Sequence, residues 1–178
     1  PYSPARIGEC LLLARRLCEA GASIVNIGYG GWDHHNVNGT PPVKEGFEKC
    51  SPPLDQALAA FIDDIYARGL EKKILLVMTG EFGRNPRIDT RLPGGRDHWA
   101  PLTPLLIIGG GLKMGQVVVD RRLAQEPAST PYSPADLFAT IFNVLGINGE
   151  VKPPALRQGS RPIVEQQRLG GRPIPELI

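Results

Sequence analysis

The sequence predicts an α/β fold, and three observations predict it. Amphipathic stretches at helical spacing alternate with short β-branched runs, glycines close those runs, and two of the runs empty into long irregular loops, where open α/β sheets place their sites. With 178 residues, 42% hydrophobic and 21% charged, the chain can bury the core of one such domain.

Ser3-Pro4 supplies an N-cap and a proline for the first turn, and Ile7, Leu11, Ala14, Leu17 and Cys18 recur at helical spacing until Gly21. Residues 22–28, Ala-Ser-Ile-Val-Asn-Ile-Gly, read as a buried strand. Residues 29–53 have no periodicity and read as a loop long enough to need a functional reason. Leu54, Leu58, Phe61, Ile62 and Ile65 predict a second helix ending near Gly69, and residues 73–79 a second strand. A second long loop runs from Gly80 to about Pro101. It leads into a third strand at 104–108, closed by Gly109-Gly110-Gly111. Residues 116–120 suit a fourth strand at an edge. Ser133-Pro134-Ala135-Asp136 caps a last helix that turns Leu137, Phe138, Ile141, Val144 and Leu145 inward up to Gly146. The domain reads as residues 1–150, and the Pro-, Gly- and Arg-rich 151–178 as an extended tail.

Several function classes drop out at this level. The 20 basic and 18 acidic residues give a net charge of +2 and form no basic stripe, so no nucleic-acid footprint is present. No apolar stretch approaches the roughly 20 residues of a membrane span. The three cysteines, Cys10, Cys18 and Cys50, form neither a CxxC pair nor an even-numbered framework, and read as small core residues. The glycines at 109–111 and 115 fail the GxGxxG spacing and lack a Lys-Ser/Thr ending, so neither a dinucleotide nor a P-loop site is supported, and a Rossmann-like nucleotide binder is the third-ranked reading.

All three histidines fall in the two strand-end loops, His34 and His35 in the first and His98 in the second. Imidazole and carboxylate form the ligand set suited to zinc, manganese and similar ions. In Gly31-Trp32-Asp33-His34-His35-Asn36, Asp33 and His35 stand two apart, so an extended backbone turns both to one side and His34 to the other. In Thr79-Gly80-Glu81-Phe82-Gly83-Arg84, Glu81 leaves a buried strand, where a carboxylate needs an ion, a proton or a partner such as Arg84. Arg84 and Arg96 are candidates for forked recognition of a tetrahedral anion, with solvation as the plainer alternative. Trp32 and Trp99 read as loop anchors rather than pocket walls.

These motifs carry a resemblance. Residues 12–21, Leu-Leu-Ala-Arg-Arg-Leu-Cys-Glu-Ala-Gly, together with Gly-Trp-Asp-x-His at 31–35, Thr-Gly-Glu-Phe-Gly-Arg at 79–84 and Gly-Arg-Asp-His-Trp at 95–99, resemble a bacterial sulfatase-like family. It is known as domain of unknown function 1501 and is grouped with the alkaline phosphatase superfamily. The resemblance spans roughly residues 4–150. It implies an alkaline-phosphatase-like three-layer sandwich, with a mostly parallel central sheet between helices, of which this chain is the C-terminal part.

The resemblance also implies roles. Asp33, His35 and His98 look like the ligands of one metal site, zinc first and manganese or calcium next. Glu81 stands where the superfamily has an Asp-His pair for a second metal, but Phe82 replaces the histidine, so one metal or two are both open and Asp97 is the candidate substitute. Cys50-Ser51-Pro52 only begins like the formylglycine signature of sulfatases, so the implied nucleophile lies upstream of Pro1. The implied activity is metal-dependent hydrolysis of phosphate or sulfate esters, on a small anionic substrate such as a sulfated or phosphorylated carbohydrate, with Arg84 and Arg96 holding the oxygens. The implied location is exported or periplasmic, with no signal visible in the chain. The rival reading is a non-catalytic, metal-stabilised binding or structural domain.

Overall fold

A computed structural model of the chain describes residues 6–88, 94–118, 131–148 and 171–178. Its core forms where two helices meet. Helix α1 (Ile7–Glu19) turns Ile7, Leu11 and Arg15 inward, and α2 (Val43–Ala67) turns Gly46, Cys50, Ala57, Phe61 and Ile65 inward. Ile7, Leu11, Ala57, Phe61 and Ile65 close a core with Ile74 and Ile108. Arg15 lies on the buried face of α1 and is held by ion pairs to Glu19 and to Asp64 of α2. Leu17, by contrast, is exposed. The Ser3-Pro4 cap lies outside the described residues.

Helix α2 begins at Val43, eleven residues before the predicted start, and contains Pro52 and Pro53. Proline forgoes an amide hydrogen bond and normally marks a helix end. Here the apolar spacing runs back through Cys50 and Gly46, and burial of that face outweighs the two lost bonds. The Tyr29 hydroxyl donates to the Cys50 carbonyl at 2.9 Å. Cys50 is buried and Cys10 and Cys18 are half-buried, all as free thiols.

The predicted strand at 22–28 is not a strand. Residues 22–28 have no regular structure, Ile24 is 80% exposed, and only Ile27 packs against the core. A strand exists through its ladder partner, and no described segment pairs with this one.

The sheet prediction is corrected as well. Strand β1 (Leu75–Thr79) pairs with β4 (Leu105–Gly109) antiparallel, Leu75 opposite Gly109 and Thr79 opposite Leu105. Between them β2 (Gly83–Arg84) and β3 (His98–Trp99) form a second antiparallel pair. The described residues thus hold three helices and two two-stranded antiparallel sheets, not a mostly parallel central sheet sandwiched by helices. Parallel neighbours need a crossover of a dozen or more residues, usually a helix. The described residues between β1 and β4 contain no helix; they double back, with Gly83 N–H to Leu102 O at 2.5 Å and the Thr79 hydroxyl to Pro104 O at 3.0 Å. Residues 110–112 form the expected turn, with Gly110 N–H to Ile74 O at 2.8 Å. Residues 116–118 are irregular, and 119–120 of the proposed edge strand lie outside the described residues.

Helix α3 (Pro134–Val144) opens on the predicted cap: Ser133 Oγ accepts from Asp136 N–H at 3.3 Å, and Asp136 Oδ2 accepts from Ser133 N–H at 2.7 Å. Its buried face is Ala135, Ala139 and Thr140, while Phe138 and Leu145 are exposed. The small residues face inward because residues 171–178 lie against them. Arg172 N–H donates to Asp136 Oδ1 and Ile174 N–H to Thr140 Oγ1, both at 2.9 Å, and a Cβ on Gly171 would overlap the Ala135 backbone. Of the proposed tail, 151–170 lie outside the described residues.

Ile65 is fully buried, so Ile65→Ala is expected to cost about 2–5 kcal/mol in denaturant unfolding, while Ile24→Ala stays within about 0.5 kcal/mol. Burial pushes the Asp136 carboxyl up, but hydrogen bonds from Arg172 and Ser133 outweigh it and hold its pKa below the ordinary value. A depressed folded pKa stabilises above the unfolded value, about 3.9, and the contribution is lost as pH falls through the folded one. The Arg172 amide resonance is therefore expected to titrate below about pH 3.9; a midpoint at or above that value contradicts the contact.

Candidate metal centre

Asp33 and His35 owe their direction to the residue between them. The His34 ring turns inward, with Nε2 2.9 Å from Gly31 O, and is 2% exposed. It lies against Phe47 at 5.8 Å between ring centroids and Trp32 at 6.0 Å, and Trp32 packs on Tyr29 and Phe47. Trp32 thus anchors the loop. Successive tight bonds, His34 N–H to Trp32 O at 3.1 Å and His35 N–H to Asp33 O at 3.2 Å, keep the alternation without a ladder partner. Asp33 and His35 are left on the outer side.

His98 comes from the other loop. Strand β3 places it opposite Arg84 of β2, and Asp97 Oδ1 accepts its amide N–H at 2.8 Å. His35 Nε2 and His98 Nε2 are 2.9 Å apart, and Asp33 Oδ1 lies 2.8 Å from the first and 3.2 Å from the second. Two imidazoles and one carboxylate therefore converge on one point, the set expected from sequence. Ligand atoms about 2.0–2.2 Å from one tetrahedral ion stand about 3.3–3.6 Å apart, so the donors need open by only tenths of an ångström. The side chain of His35 is 14% exposed, against 59% for Asp33 and 46% for His98, which leaves the outer side open to further ligands.

Arg84 completes the cluster. Its Nη2 donates to Asp33 Oδ1 at 2.7 Å and to Trp32 O at 3.1 Å, and its Nη1 to His35 Nε2 at 3.0 Å. A guanidinium can only donate, so His35 Nε2 offers its lone pair. Two acceptors, that nitrogen and Asp33 Oδ1, thus stand 2.8 Å apart, a separation that a neighbouring positive charge makes tolerable. The Arg84 hydrogen bond, against the upward push of burial and with help from the His98 hydrogen bond, brings the Asp33 pKa down to about 2.

A family model described as Protein of unknown function (DUF1501) matches residues 2–178. The chain belongs to that family. Compared with the curated proteins and with the solved structures, this DUF1501 chain matches none.

The other predicted site residues of the DUF1501 chain go elsewhere. Glu81 is exposed and outside the converging group. Asp97 orients the His98 backbone rather than offering a donor to the cluster. Arg96 clamps its own loop, with Nη1 donating to Asn85 O at 2.9 Å and Pro86 O at 2.7 Å. Phe82, noted in the sequence only as a departure, lays its ring on His98 at 4.1 Å between centroids. Gly46 was not anticipated: any Cβ there would run into the His34 ring, so a helical glycine seats the loop. No local sequence signal marks that contact, because it joins two elements.

Gly46→Ala is accordingly expected to destabilise by about 1–3 kcal/mol despite alanine's better helix propensity, and to shift the His34 ring resonances. A more stable variant with unmoved His34 signals contradicts the seat.

Proposed function

We propose that Asp33, His35 and His98 bind one divalent cation, zinc by preference, and that the centre serves hydrolysis of a phosphate or sulfate ester. The observation that carries the reading is the convergence of two imidazole nitrogens and one carboxylate oxygen from two separate loops, on a side open to solvent. Three protein ligands plus an open position are the arrangement of catalytic zinc sites, whereas structural sites are closed. The donor set favours zinc over manganese, and calcium least, since calcium prefers six to eight oxygens.

A cation held there supplies Lewis-acid polarisation of an ester oxygen. The chain's own residues orient the rest. Asp97 and Phe82 fix His98, His34 fixes Asp33 and His35, and Arg84, held here by Asp33 and His35, carries a fork that would match two oxygens of a tetrahedral group once released. The motif resemblance to alkaline-phosphatase-like enzymes supports the ester class. Sulfated or phosphorylated carbohydrates fit it as substrates.

Phe82 favours one ion over two, since it stands in the sequence where the superfamily has its second histidine and its ring offers no ligand atom. It also supports the rival, a metal-stabilised domain without turnover. Metal analysis and assay of the same sample separate the two. Stoichiometric zinc is expected in the purified chain and loss of most of it in His98→Ala, with a lowered melting temperature on chelation. Hydrolysis of p-nitrophenyl phosphate or sulfate that tracks zinc content supports the ester reading; zinc without turnover supports the rival; absence of zinc sinks both.

A further inference from the structure

We propose that Arg84 and a divalent cation compete for the same two atoms, Asp33 Oδ1 and His35 Nε2, so that the ion's entry frees the guanidinium to take a tetrahedral oxyanion. The inference rests on the one-ion reading above and adds an order of binding, cation first and anion second.

Three observations carry it. The two N–H groups that reach these atoms, at 2.7 and 3.0 Å, come from one fork, so a single residue engages two of the three donors. A lone pair directed at an N–H is not directed at an ion, and a guanidinium at that distance repels a dication. Arg84 Nη2 also donates to the neutral Trp32 carbonyl at 3.1 Å. Released from the ligands, it keeps a tether beside the cluster. Finally, the exposed sides of Asp33 and His98 let an oxyanion reach both the ion and the freed fork, and forked N–H groups match two oxygens of sulfate or phosphate.

The sign of one substitution separates competition from support. A positioning arginine that braced the ligands would strengthen the ion's hold; a competitor weakens it. Calorimetric titration of the full chain with zinc alone is expected to show Arg84→Gln binding about three- to tenfold tighter than wild type, from lost charge-assisted hydrogen bonds discounted for solvent exposure. Arg84→Lys keeps the charge without the fork, is expected to fall between them, and carries the comparison should Arg84→Gln fail to fold. Sulfate and phosphate, titrated separately, are expected to bind wild type only after zinc is added and to lose at least about tenfold in Arg84→Gln.

Arg84→Gln binding zinc equally or more weakly overturns the proposal, as does anion binding indifferent to zinc. If wild type takes zinc and His98→Ala does not, such a result removes the competition alone and leaves the one-ion reading standing. A wild type that takes no zinc removes both.

Discussion

His34 carries its ring into the interior against Gly46 and Phe47, and the two residues flanking it are left only the outer side to occupy. The rest of the site depends on that burial. An imidazole that gives up water needs a partner, and the Gly31 carbonyl supplies one at 2.9 Å. Burial holds the His34 pKa below its ordinary value, which keeps the ring neutral and compatible with its aromatic neighbours. One of two adjacent histidines therefore builds the loop, while Asp33 and His35 stay on the outer side.

The second half of the site rests on nested antiparallel pairing. Ile74 and Ile108 fix β1 and β4 to the helical core, that ladder brings residues 80–88 and 94–104 together, and the two-residue β2–β3 pair sets Arg84 opposite His98. Neither β2 nor β3 contains a fully buried residue, so opening of that pair exposes little core. An ion shared by Asp33, His35 and His98 would tie the two loops together there. The same geometry explains the ion-pair pattern: Arg84 holds a cation's place in charge, and a half-exposed carboxylate keeps its proton off at any ordinary pH.

Much of this was legible in the sequence, and the misses have physical causes. Alternation alone put Asp33 and His35 on one side and His34 on the other, and the Ser133–Asp136 cap was readable because capping is local chemistry. The family also followed from the motifs. The parallel sandwich did not follow: residues 22–28 have strand composition but no partner among the described residues, and the described residues between β1 and β4, which hold no helix, return antiparallel. The α2 boundary lies earlier than predicted because the Gly, Asn and Pro content of residues 29–53 hides the inward spacing of Gly46, Cys50 and Ala57. Arg96 and Asp97 were placed at the site by type, whereas loop carbonyls and a backbone N–H claimed them. Tertiary partners of that kind leave no local trace.

A single ion at this site would draw its ligands from both loops. Zinc K-edge X-ray absorption on the purified, zinc-loaded chain tests it most directly. Three protein ligands are expected at about 2.0–2.2 Å, two of them with imidazole outer-shell scattering, with loss of one imidazole in His98→Ala. A zinc environment without imidazole, or one that His98→Ala leaves unchanged, contradicts it.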